Sequence, residues 1–155
     1  IPMRRTSLSI ILAILFLVSG CATSGMTSER QKEIPDDANT VILNSEESPD
    51  ELYRVAYQHL RKHGFRMDES NEEMHSLSTD GAAVGKSKRF IRVDVFVEDN
   101  KQGSRLTASA DVRIQGFGWM DAAKVGRGSE PRVGFEELVL LIEELPHNRI
   151  EYTER

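Results

Sequence analysis

Two runs in the middle of the chain constrain its fold more than anything else. In Phe90–Val97, the residues Ile91, Val93, Val95 and Val97 alternate with Phe90, Arg92, Asp94 and Phe96. In Arg105–Ile114, Leu106, Ala108, Ala110, Val112 and Ile114 alternate with Arg105, Thr107, Ser109, Asp111 and Arg113. Successive side chains of a strand point to opposite faces, so strict alternation gives each strand one buried and one wetter face. The short link Asp99-Asn100-Lys101-Gln102-Gly103 makes the two an antiparallel hairpin with a five-residue connection. A sheet of this kind needs cover on one face.

The cover is legible on either side of the hairpin. Ser48-Pro49-Asp50-Glu51 is a helix start: Ser48 caps, Pro49 suits the first helical position, and Glu51 completes a capping box. Leu52, Val55, Ala56, Leu60 and His63 then recur at helical spacing, flanked by Tyr53 and Tyr57, and Gly64 ends the helix. Pro131 opens a second helix through Phe135, Leu138, Leu141, Ile142 and Leu145, closed by Pro146. Its apolar arc is the wider, which predicts the more buried helix. Thr40-Val41-Ile42-Leu43 reads as a first strand, Phe65–Asp68 as a second, 69–73 as a turn and Met74–Thr79 as the return. The stretches 80–88 and 116–129 read as loops. The expected order is β-α-β-β-β-β-α, an α+β domain with an antiparallel sheet and two helices on one face.

The N-terminus carries a different signal. Arg4 and Arg5 precede Leu8–Val18, apolar except for Ser9, and Ser19-Gly20 then lead to Cys21, the only cysteine. Charge, short apolar run and small residues are the order of a secretory signal peptide, with Met3 its expected start. The run is about half of the ~20 residues a membrane-spanning helix needs. Val18-Ser19-Gly20-Cys21 resembles the bacterial lipobox. The resemblance implies cleavage before Cys21, lipid on its thiol, and a membrane anchor through that lipid; acyl chains contribute about 0.8 kcal/mol per buried CH₂. Ala22 after the cysteine, by the same resemblance, implies the outer membrane, with the domain facing the periplasm. Residues 1–20 are thus expected as signal peptide, 21–39 as a flexible tether too polar to fold alone, and 40–155 as one domain. From Thr40 to Tyr152 the element order, with its Gly64-Phe65 junction, resembles the helix-grip domains of the C subunit of the outer-membrane β-barrel assembly machine.

Composition narrows the function further. The formal net charge is −5, and more negative without Arg4 and Arg5, which argues against nucleic acid as a partner. A single cysteine allows no intrachain disulfide and no cysteine-based zinc site.

Few residue constellations suggest chemistry. Gly85-Lys86-Ser87 lacks the earlier glycine of a phosphate loop, since Asp80 stands there, and a strand rather than a helix follows. His59 and His63 have the i, i+4 spacing of zinc pairs, but the sequence shows no third ligand beside them. The plainer expectation is that His63 interacts with its helix C-terminus, and no metal or other cofactor is expected. The acidic doublets, such as Glu136-Glu137 and Glu143-Glu144, read as solvated faces, and no catalytic motif appears. Phe117, Trp119 and Met120 stand among glycines and form either a lid on the sheet or a contact site for a partner. The expectation is a non-enzymatic, lipid-anchored envelope protein that binds another envelope protein. The alternative is a carrier or sensor holding a small apolar ligand between sheet and helix.

Overall fold

A computed structural model describes residues 26–85, 88–122 and 129–154. Cys21, the signal-peptide segment, the start of the expected tether, and Lys86 and Ser87 lie outside them. The fold is α+β: an eight-stranded antiparallel sheet with two main helices packed against it. In chain order the elements are α1 (Ser28–Glu33), β1 (Thr40–Ser45), α2 (Pro49–Lys62), β2 (Met67–Asn71), β3 (Ser76–Thr79) and β4 (Ala82–Val84). They continue with β5 (Arg89–Asn100), β6 (Gly103–Ile114), β7 (Gly118–Asp121), α3 (Glu130–Glu143) and β8 (Arg149–Thr153). The strands run β2-β3-β5-β6-β1-β8, with β4 also on β5 and β7 also on β6.

The alternating runs form the centre of the sheet. Ile91 pairs with Val112, Val93 with Ala110, Val95 with Ala108 and Val97 with Leu106, all buried on one face. Asn100 pairs with Gly103, so the strands run on to a two-residue turn, Lys101-Gln102, instead of the expected five-residue link. Asn100 closes the turn by accepting, through Oδ1, a bond of 2.8 Å from the Gln102 amide.

The first long helix starts and stops as its residues dictate. Ser48 accepts from the Glu51 amide at 3.3 Å, with Pro49 in the first turn. The reciprocal half of the expected capping box is missing, because the Glu51 carboxylate takes Arg54 instead. At the other end Gly64, at φ +90°, lets its own amide reach Arg61 O and the Phe65 amide reach Leu60 O, both at 3.1 Å. Leu60 and Phe65 then pack into the core, the hydrophobic contact that accompanies this stop. α3 is the more buried helix, and Gly134 lets it close on the sheet: a Cβ there would stand 2.9 Å from Val112 Cβ. Leu43, Leu52, Ile91, Phe135, Leu138 and Ile142, all in one core, occupy the space between sheet and helices.

Three short strands lie where the sequence predicts loops or nothing: β4, β7 and β8. The expected tether also contains structure from Thr27 onward. Thr27 caps α1 by accepting from the Arg30 amide at 3.3 Å, and Ile34 and Ala38 are core residues. What holds this segment down is Arg132 of α3, fully buried. Its Nη1 donates to Pro35 O at 2.8 Å and its Nη2 to Ile34 O at 3.1 Å. Among the described residues no helix is long and apolar enough to cross a membrane.

Candidate functional site

Both main helices bury against one face of the sheet, and the outward side chains of β5 and β6 are left at the surface. On β5 these are Phe90, Arg92, Asp94, Phe96 and Glu98. Phe90 and Phe96, 37% and 43% exposed, stand six residues apart, or about 20 Å along the strand. Arg92 between them is held flat by Asp111, which accepts from its Nε at 2.8 Å.

The structure separates the three residues of the expected contact site. Trp119 pairs across from Arg113, on the outer face; its ring lies 5.8 Å from that of Phe90, and the Arg92 guanidinium sits 4.9 Å from its centroid. It covers the sheet, and Gly81 makes room: a Cβ there would come within 2.8 Å of the indole. Met120 pairs across from Val112, on the other face, and is 39% exposed. Phe117 sits in the turn before β7 and is 79% exposed. Trp119 therefore has the position expected of a lid and Phe117 that of a surface contact.

At the far end of the same face β2 and β3 form a groove of about 870 Å³ with β5 and β6. Met74, Leu77, Val95 and Phe96 are its apolar residues, of which Met74 and Phe96 are exposed, and Asp68, Glu69 and Asp94 its carboxylates; among the described residues no basic one lines it. Ser78 donates to Asp94 at 2.6 Å, fixing that carboxylate on the wall. Sequence reasoning missed this groove, because it arises only when β2 and β3 meet β5.

Of the three histidines on α2 and before β3, the two at i, i+4 spacing come together and the third does not. His75 lies apart, 2.6 Å from Asp50. His59 and His63 have rings 4.5 Å apart, and the third group near them is Glu144, the C-cap of α3. Its Oε2 is 3.3 Å from His63 Nε2 and 3.8 Å from His59 Nε2. His59 Nε2 lies 2.9 Å from Leu141 O; since a carbonyl only accepts, that nitrogen carries the proton and donates. Burial holds the His59 imidazole below its ordinary value, against the opposing effect of that bond. His63 thus meets a helix C-terminus as expected, but that of α3 as well as its own. Lys86 and Ser87 of the Gly85-Lys86-Ser87 stretch lie outside the described residues, and the chain resumes regular structure as strand β5, not helix.

No protein-family model matches the chain, and no curated protein matches it in sequence.

Proposed function

We propose that this chain is a lipid-anchored envelope protein, held in the outer membrane through Cys21, that binds another envelope protein with the helix-free face of its sheet. The observation that carries the binding half is the helix-free outer face, on which Phe90, beside Trp119, and Phe96 remain partly exposed, with an acidic, Phe96-lined groove beside it. Large aromatics left in water cost free energy that an interface recovers, and aromatic anchors dominate interface energetics. The carboxylates select the partner's chemistry: a segment with basic and apolar side chains. A carrier would hold its ligand in an apolar cavity between sheet and helix. Leu43, Leu52, Ile91, Phe135, Leu138 and Ile142 are buried together there, and the groove between β4 and α3 is open to the surface and lined by Glu137, Glu143 and Glu144. The anchor rests on the lipobox pattern alone.

Site-specific photocrosslinking in native envelopes tests the binding half. A photoreactive residue at Phe96 should give a discrete adduct, whereas one at Arg54, exposed on α2, should not. Asp94→Lys should remove the Phe96 adduct while leaving the melting temperature nearly unchanged. Equal adducts from both positions, or an adduct indifferent to the charge reversal, would count against the sheet face. For the anchor, Cys21→Ser should abolish acyl labelling; labelling that persists would refute it.

A further inference from the structure

We propose that His59, His63 and Glu144 form a binding site for a zinc-type divalent cation, with one coordination position left open. The donors come from two elements far apart in sequence, and all three ligand atoms lie within 4.8 Å of one another. Zinc held tetrahedrally at ~2.0–2.1 Å from each ligand sets its ligands ~3.4 Å apart. The 3.3 Å and 3.8 Å separations between Glu144 and the two imidazoles are close to that edge before any ion enters. Small rotations of an exposed glutamate and a half-exposed His63 complete the geometry.

The local field favours a cation. α2 ends at Lys62 with His63 as its cap, and α3 ends at Glu143 with Glu144 as its cap, so two helix C-termini converge here. Each presents the negative end of its dipole. The last turn of α3 carries no basic residue of its own to answer that charge, whereas Arg61 and Lys62 in the last turn of α2 offset part of it. Two histidines and one glutamate also form a donor set that leaves zinc a fourth, exchangeable position. His63 and Glu144 also line a groove of about 560 Å³, together with Lys88, Leu140 and Glu143.

Binding through His59 Nε2 requires a defined rearrangement. The proton now donated to Leu141 O moves to Nδ1, the lone pair of Nε2 turns to the metal, and the Leu141 bond is given up. Zinc binding therefore exchanges one hydrogen bond for a clip between the ends of α2 and α3.

The test uses the full chain without an affinity tag, stripped by chelator and titrated with zinc chloride and, separately, with cobalt(II). We expect one ion per chain, a rise in melting temperature with zinc, and visible cobalt bands of tetrahedral intensity. Loss of an outer-shell partner costs ~10–100-fold in affinity, so loss of a ligand in His63→Gln or Glu144→Gln should cost at least as much. Both side chains are substantially exposed, and the metal-free variants should melt near the parent. Failure of the parent to take up one ion saturably overturns the proposal. So does equal affinity in parent and both variants, which would place the ion on other surface carboxylates.

Discussion

The guanidinium of Arg132 donates to the carbonyl of Ile34 across 98 residues of sequence, at 3.1 Å and out of contact with water. With the companion bond to Pro35, this makes residues 34–39 part of the domain's wall. Glu136 Oε1, 3.7 Å from Arg132 Nε, balances the buried charge. Buried charges persist where they are paired and hydrogen-bonded, and they are costly where one partner is lost.

Arg132→Met should therefore destabilise the protein by about 3 kcal/mol, since two carbonyls and a carboxylate lose their partner together. A chain beginning at Asn39 should melt well below one beginning at Met26, because it strands Arg132 and uncovers the core where Ile34 sat. Denaturant unfolding of the pair measures both effects; equal midpoints would mean that the docked segment adds nothing.

Trp119 and Phe117 should part company on truncation. Trp119→Ala loses its packing on Phe90 and the Arg92 cation–π contact, a cost of about 1.5 kcal/mol for a half-buried aromatic. Phe117→Ala should stay within about 0.5 kcal/mol of the parent, as surface changes usually do. Melting curves of the two single variants decide it.

Gly134→Ala opposes two effects of known size. Alanine favours a helix interior by about 1 kcal/mol over glycine. Against that, the new methyl group meets Val112 Cβ at 2.9 Å, and overpacking of this kind costs about 1–3 kcal/mol. The clash should win. A Val112→Ala background removes the Cγ2 contact at 3.1 Å but keeps Cβ, so the cost of the change should shrink without vanishing, a coupling that a double-mutant cycle reads directly.

Alkaline unfolding should report on Tyr152. Burial, reinforced by the negative charge of Glu143, pushes its phenol up to about 12, and its hydroxyl donates to Glu143 at 3.1 Å. A folded-state pKa above the unfolded one gives stability that is complete below about pH 10 and lost as pH rises toward 12. Tyr152→Phe should flatten that part of the stability–pH curve relative to the parent.

What could be read in the sequence was whatever repeats over enough residues or uses a residue with one structural purpose. The β5–β6 hairpin shows itself through nine alternating apolar positions, and α2 through Ser48, Pro49 and Gly64 at its ends. β4, β7 and β8 are three to five residues long, too short for a period to emerge, and their pairing is decided by β5, β6 and β1. Ile34 is one apolar residue in a polar stretch, and its meaning depends on Arg132. The acidic groove and the meeting of His59 and His63 with Glu144 are likewise products of tertiary folding, invisible to local spacing.

The docked segment also shortens the leash. Met26 already packs against the core, so on the lipid-anchor reading only five peptide links separate it from Cys21. Fully extended, they reach about 18 Å, whereas a free coil of 18 residues averages about 25 Å and can stretch much further. The domain would then ride low over the bilayer with its α1–α3 corner down. Its freedom to tumble would be small, and any partner would have to approach from the side or from above.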